Sequence, residues 1–453
     1  MNFLAAFGGG NLNNPSPHGV TCIIFKEEEG KMKCVLKYVS FLVLAGFFVQ
    51  CFSSNTEAIP AFARKYKTSC VLCHAPFPKL TAMGEAFRLN GYKIPEGDEI
   101  YVKEEPVSMG ADAYKKMFPE AIWPSTIPGI PPLAIRVIGD ANYYPNGAHT
   151  NRNEFNYPAE VTLLGAGSFG DNFAFFAQMG VETEDGESTI SPLAWLMWQN
   201  LFPNIVGQKH LNFKVGNVGR HSITLPNTRN ENSFTVDDYL YVTALDLDNE
   251  PGFEAVGYDR NWRYVVGLVD ADRDNSKKDY YAAFDVKLGG IGYDGSGGTY
   301  EAGGLGTSPS GYWRDDSVQI GAFAYRSHVG VNADNFDRIG ADVLVNYKNI
   351  SLAGGYVYGR NYMTNERMNI EFAETQYFVY PWMVPYLRFE NLSMKESSTG
   401  DQARFVFGST MLLRANIRFN VEAELYTTND PAYADTGSSN ADNVITCRMD
   451  WAF

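Results

Sequence analysis

Long apolar runs are what this 453-residue sequence most conspicuously lacks. Its longest, from Tyr38 to Val49, is too short to cross a bilayer as a helix. Mean hydropathy is −0.23, which excludes a polytopic helical membrane protein. Basic charge is also scarce: 37 Lys and Arg stand against 52 Asp and Glu, a net charge of −15. Phosphate backbones need a basic surface, so no nucleic-acid partner is expected, and cations are the natural small partners. The sequence contains no nucleophile elbow, phosphate loop or dinucleotide fingerprint. Histidine and cysteine number six each, and three of the cysteines, Cys22, Cys34 and Cys51, fall in the first 51 residues. What is plentiful is aromatic side chains, at 14%, and glycine, with 43 residues; that mixture favours strands and turns over long helices.

From Met32 the chain runs through basic Lys33 and Lys37, the apolar stretch and a small, polar segment ending at Ala58. That order describes a secretory signal peptide. Glu27, Glu28 and Glu29 lie where a signal carries positive charge, so the expected start is Met32 and residues 1–58 are expected to be removed. Gln50 before Cys51 occupies a position where a lipoprotein signal needs a small residue.

From Leu133 onward, segments of about ten residues alternate apolar and polar positions, separated by turns rich in Asp, Asn and Gly. The length of the region predicts an all-β transmembrane barrel of about 16 antiparallel strands, porin-like, over residues 133–453. No period of 40 to 50 residues is present, which argues against a propeller. The final segment, Val444 to Phe453, alternates strictly, with Ile445, Cys447, Met449, Trp451 and Phe453 on one face and Thr446, Arg448 and Asp450 on the other. A terminal aromatic residue on such a strand is the assembly signal of outer-membrane barrels, which assigns Cys447 to the lipid side as an inert thiol. The Gly/Ser-rich stretch 292–316 reads as a mobile extracellular loop. Acidic clusters at Asp246, Asp248, Glu250 and Glu254, at Asp270, Asp272 and Asp274, and at Asp430 and Asp435 read as solvated loop ends or as a vestibule that gathers cations.

Ahead of the barrel, "KTSCVLCHAP" holds Cys70, Cys73 and His74 within five residues. Two cysteines at this spacing can each add to one vinyl group of a haem and hold the following histidine beneath the iron. A zinc site would need a second ligand pair, and residues 75–148 contain no Cys or His. A redox dithiol would need a βαβ context that is missing. Leu80, Met83, Gly84 and Phe87 recur at helical spacing, and Asn90-Gly91 stops the helix. The small α-helical c-type cytochrome module expected over residues 59–120 is too short to fold on its own core. The Pro-rich stretch 121–132 separates it from the barrel as a stiff linker. Met83, Met109 and Met117 are the candidates for the distal iron ligand, although a buried Met83 needs no role beyond packing. His149, His210, His221 and His328 all lie in the barrel region.

The stretch from Pro60 to Tyr92 resembles the fused outer-membrane monohaem c-type cytochrome–porins of iron-oxidising bacteria. The resemblance is carried by Pro60, Phe62, Ala63, Arg64, Cys70, Cys73, His74, Pro78, Leu80, Gly84, Phe87, Leu89, Asn90, Gly91 and Tyr92. It implies one c-type haem, covalently attached through Cys70 and Cys73 with His74 as proximal ligand, and a barrel in the bacterial outer membrane. It further implies Fe(II)-oxidising electron transfer: extracellular ferrous iron as donor, a periplasmic cytochrome as acceptor, and outer-membrane lipid around the barrel. Met83 stands where the family carries Phe, which weighs against it as a shared ligand. Related fusions occur in bacteria not known to oxidise iron, so two alternatives stay open. One is a conduit for another extracellular donor or acceptor; the other is a solute porin whose haem is structural or regulatory.

Overall fold

The computed structural model describes the chain from residue 61, apart from positions 96, 103–106, 109–115, 118–125, 128–131, 146–151, 185–186, 220–233, 236–239, 241–249, 271–277, 298–314, 328–336, 363–365, 396–400 and 430–442. The expected signal segment, Met109, His149, His221 and His328 therefore lie outside the described residues. Residues 57–453 form one compact unit.

Helix α1 (Ala61–Tyr66) opens the described chain, followed by a 3-10 turn (Cys70–Leu72), α2 (Ala82–Leu89) and a short α3 (Asp98–Tyr101). The helix expected from the apolar stripe is α2. Thr81 caps it, its hydroxyl accepting from the Gly84 N–H at 3.0 Å, and Gly91 follows it at φ +69°. Met83, Gly84 and Phe87 face inward as expected, whereas Leu80 lies before the helix, bridged to His74. Strands β1 (Val107–Ser108) and β2 (Thr126–Ile127) pair antiparallel, so the Pro-rich stretch contributes a strand that folds back.

Sixteen further strands close into an antiparallel barrel. They begin with β3 (Leu133–Tyr143), β4 (Asn153–Phe169), β5 (Phe173–Glu184), β6 (Glu187–Trp198) and β7 (Asn212–Val218). Next come β8 (Glu250–Tyr258), β9 (Trp262–Val269), β10 (Asp279–Gly289), β11 (Ser317–Arg326), β12 (Asp337–Tyr347) and β13 (Ile350–Tyr362). The last are β14 (Glu366–Tyr377), β15 (Met383–Met394), β16 (Gln402–Arg414), β17 (Ile417–Asn429) and β18 (Val444–Ala452). Strand β18 pairs with β3 to close the ring, and Ile135 and Phe453 exchange backbone hydrogen bonds of 2.8 and 2.9 Å at the seam.

The alternation of side chains gives the wall two opposite faces. Phe213, Phe253, Phe284, Ile320, Leu387 and Phe407 are exposed on the outside. Glu254, Asp285, Arg338, Arg388, Arg404 and Asp450 are buried in the lumen. On β18, Thr446, Arg448 and Asp450 point inward and Met449 outward, as the sequence pattern required. With each strand paired to a neighbour on both sides, an apolar exterior and a charged interior, the barrel is built to span a bacterial outer membrane. No helix among the described residues is long and apolar enough to cross a membrane.

Both ends of the barrel sequence, Leu133 and Phe453, lie at the rim that carries the short turns 170–172, 259–261, 348–349 and 415–416. This is the periplasmic rim. Strand parity places the described ends of the connection between β10 and β11, residues 290–297 and 315–316, at the same rim, not at the extracellular side expected for 292–316. Residues 298–314 lie outside the described residues. Composition marks a segment as loop-like but carries no information on which side it emerges. Glu254 is likewise no solvated loop end: it is 1% exposed on β8, bonded to Lys214 at 2.6 Å and to the Tyr281 hydroxyl at 2.7 Å.

Candidate functional site

The 3-10 turn winds the two cysteines and the histidine into one compact loop. The His74 N–H donates to the Cys70 carbonyl at 3.0 Å, and Cys73 does so at 3.2 Å. Helix α2 clamps this loop from its N-terminal end: the Thr81 N–H donates to the Cys73 carbonyl at 2.9 Å and its hydroxyl to the Leu72 carbonyl at 3.0 Å. Gly84 is required there. A Cβ at that position would lie 2.1 Å from the Cys73 oxygen, a contact no side chain can make.

His74 Nδ1 engages the Pro78 carbonyl at 2.9 Å, and the Ala75 N–H reaches the Lys79 carbonyl at 2.9 Å. A ring held through Nδ1 as donor coordinates a metal through Nε2, the usual outer-shell arrangement of a ligating histidine. Cys70 and Cys73 are not joined in a disulfide. Burial pushes the Cys73 thiol up to about 12, with the Cys70 sulfur adding to the shift, and burial raises Cys70 as well. Among the described residues no group of three or more His, Cys, Asp or Glu side chains is arranged to hold a bare metal ion. The donor set of two thiols and one oriented imidazole fits a c-type haem, which the cysteines would hold covalently and His74 would ligate.

Met83 is 5% exposed and packs with Tyr66, Phe87, Tyr92 and Ile94, with Leu72 and Cys73 against the same cluster. Met117 is 71% exposed. The Tyr66 hydroxyl donates to Asp98 Oδ1 at 2.7 Å, tying α1 to the start of α3. Burial, then the Asp98 charge, raises the Tyr66 phenol well above its ordinary value, so it remains a donor.

This whole assembly is held by the barrel. Arg263 on β9 donates from Nη1 to Glu85 Oε1 at 2.7 Å, while its Nε and Nη2 hold Asp285 on β10. The Tyr258 hydroxyl donates to the Leu89 carbonyl at 3.1 Å, and Arg64 Nη2 to the Leu133 carbonyl at 2.7 Å. Lys79 donates to Gln376 on β14 and lies 5.0 Å from the Phe234 ring centroid. Tyr92 stacks on Trp195 at 6.0 Å and on Phe176 at 6.5 Å, both from the wall. Every wall residue named lies near a short-turn end of its strand, so the motif sits in the periplasmic mouth of the lumen.

Burial lowers the Lys79 ammonium to about 8, partly offset by Glu374. Burial alone would raise the Glu85 carboxyl; Arg263, Lys287 and Arg88 outweigh it and hold the group below the ordinary carboxylate range. Sequence reasoning found Cys70, Cys73 and His74 but missed Glu85, Lys79 and their wall partners, which lie up to 297 residues away. A charged residue on a helix face has no sequence mark distinguishing a lumen contact from a water contact.

Deeper in the lumen lie three described residues from between β7 and β8, Phe234, Thr235 and Leu240. Phe234 and Thr235 are 0% and 2% exposed, with Arg388 donating to the Thr235 hydroxyl at 2.8 Å. Leu240 donates its N–H to Glu390 at 2.7 Å. Phe234 packs against Ala75 and Phe378, which brings it to the residue next to His74.

No protein family and no curated protein matches the chain in sequence. Among solved structures, the chain is similar to OmpF of Salmonella typhi in complex with daunomycin, at 12% identity and a TM-score of 0.49, covering 71% of this chain and 97% of that one. It is similar to an anion-selective porin from Comamonas acidovorans, at 10% identity and a TM-score of 0.49, over 71% of this chain and 98% of that one. The outer membrane channel DcaP of Acinetobacter baumannii is similar at 10% identity and a TM-score of 0.48, over 71% of this chain and 96% of that one.

Proposed function

We propose that this chain is an outer-membrane electron-transfer protein carrying one c-type haem on Cys70 and Cys73, with His74 as the proximal ligand. Following the resemblance of residues 60–92, the external donor is ferrous iron and the acceptor a periplasmic cytochrome. The observation that carries this reading is the seating of the C-x-x-C-H loop inside the barrel mouth. Glu85, Lys79 and Leu89, all within 15 residues of His74, are each gripped by the wall. A redox group held there faces the periplasm on one side and the lumen on the other. Insoluble ferric product is better formed outside the cell, which favours moving the electron and leaving the iron behind.

Bound haem would supply one-electron chemistry; the protein's residues set its environment. His74 is oriented by the Pro78 carbonyl, and the Phe62, Phe87 and Tyr92 rings furnish an apolar flank. The distal ligand in this reading is a methionine among Met83, Met109 and Met117, because thioether ligation raises the potential toward that needed to oxidise ferrous iron. Packing in the aromatic cluster accounts for the burial of Met83 without a ligand role, so spectra of single Met→Leu variants at the three positions are the means to assign the ligand.

The test is stopped-flow haem reduction in oriented liposomes with ferrous iron supplied only on the extracellular side. Reduction is expected. Its absence where dithionite reduces the haem fully would eliminate iron as donor and leave a conduit for another substrate. A solute porin with a structural haem is the second reading, favoured by the closed barrel with a charged lumen. Steady open-channel conductance of the reconstituted protein would move that reading ahead. The burial of Phe234 and Leu240 in the lumen argues for little or none.

A further inference from the structure

Three arginines, Arg136, Arg418 and Arg448, line the lumen where the Phe77–Pro78 turn meets the wall, and their hydrogen bonding differs. Arg136 grips Asp450 with Nε and Nη2 at 3.0 and 2.6 Å. Arg448 grips Asp140 in the same two-pronged manner, at 2.6 Å for both contacts. Arg418, on β17, reaches only Asp450 Oδ2, at 3.0 Å, an oxygen Arg136 already occupies. Its Nε and Nη1 have no partner, although the side chain is 2% exposed. A guanidinium stays charged at any physiological pH, and a buried N–H without an acceptor is costly to keep out of water.

A second orphan lies beside it. Thr410 on β16 is 0% exposed, and its hydroxyl has no partner. Thr410 faces Asn420, two residues along β17 from Arg418, so the two lie diagonally across the strand pair, within reach of one shared group. Two unpartnered guanidinium nitrogens and a hydroxyl, all on the lumen face, describe a receptor for a carboxylate. The receptor adjoins the motif: the Arg418 guanidinium lies 5.9 Å from the centroid of Phe77, three residues after His74.

We propose that Arg418, with Thr410, receives a propionate carboxylate of the haem attached at Cys70 and Cys73, an assignment that rests on the haem reading above. Haem carries two carboxylates on one edge of its ring, and inside a lumen each needs a donor. Anchoring one of them on β17 locks the haem's rotation to the wall, so that the module positions the iron and the barrel positions the ring edge. The positive charge beside the ring favours the ferrous over the ferric state and raises the potential. Arg418 is thus a positioning residue that also tunes redox equilibrium.

The test uses the full chain, purified after haem attachment, as wild type, Arg418→Gln and Arg418→Lys. Haem staining after denaturing electrophoresis reports attachment, resonance Raman reports the propionate-bending band, and redox titration reports the midpoint potential. Arg418→Gln is expected to keep the stained band, shift the propionate band and lower the potential. Arg418→Lys keeps the charge but not the fork, so the band should shift with a smaller change in potential. Should Arg418→Gln fail to assemble, Arg418→Lys decides the matter through the propionate band alone. Stained protein whose propionate band is unmoved in the assembled variants overturns the proposal, even if the potential falls, because the anion is then something other than haem. Wild-type protein with no stained band would instead overturn the haem reading itself.

Discussion

The module of residues 61–101 and the barrel of residues 133–453 obey opposite rules of self-sufficiency. The barrel pairs each strand with its own neighbours on both sides and alternates its side chains to suit lipid outside and charge inside. The module has three short helices and a 3-10 turn, and its one apolar cluster is completed by Ala166, Phe176 and Trp195 of the wall. So small a segment cannot bury enough apolar surface by itself. The difference implies a one-way dependence: the module should need the barrel, and the barrel should not need the module.

The strongest attack on that comparison is at the seam. Removing Phe453 deletes the two backbone bonds to Ile135 and the terminal aromatic assembly signal. Barrel and module should be lost together, read as disappearance from the outer-membrane fraction; a folded module persisting in the periplasm would break the dependence. The converse experiment is Cys70→Ala with Cys73→Ala. Covalent haem should vanish completely, while outer-membrane insertion, followed by heat-modifiable gel mobility, stays as in the wild type.

An intermediate effect is expected from Arg263→Gln, which strips Glu85 and Asp285 of their shared cation. Breaking a buried ion pair this way costs about 3 kcal/mol. The loss should appear as faster proteolysis of residues 61–101 with the barrel intact. The smallest effect is a pH slope from Lys79. Its folded value near 8 lies below the ordinary 10.5, so the undocked segment binds more protons between these values. Docking should therefore strengthen as pH rises from about 8 to 10.5 and be flat below. In Lys79→Met that slope, measured by protease protection, should disappear.

The sequence was most legible where local pattern has a single physical meaning. Strict alternation on the last strand foretold which of Thr446, Cys447, Arg448, Met449 and Asp450 face the lumen, and the spacing of Met83, Gly84 and Phe87 foretold the buried face of α2. It was least legible where side or partner mattered. Residues 290–297 and 315–316 lie at the periplasmic rim, Glu254 pairs inside the lumen, and Arg263 turns inward to reach Glu85.

By itself the sequence determined a barrel of about sixteen strands, a capped helix after a C-x-x-C-H loop, and the chemistry those two cysteines and one histidine can perform. Each of these depends on periodicity or on residues a few positions apart, which the chain carries wherever it folds. Only the tertiary structure decided that the loop lies in the barrel mouth, that Phe234 reaches down to Ala75, and that Arg418 presents unused donors beside Phe77. Those facts depend on closure. Joining β18 to β3 brings residues more than 300 positions apart, Arg448 and Asp140 among them, onto one small lumen surface. There, water no longer satisfies a charge, and each charged group must find its partner across the ring.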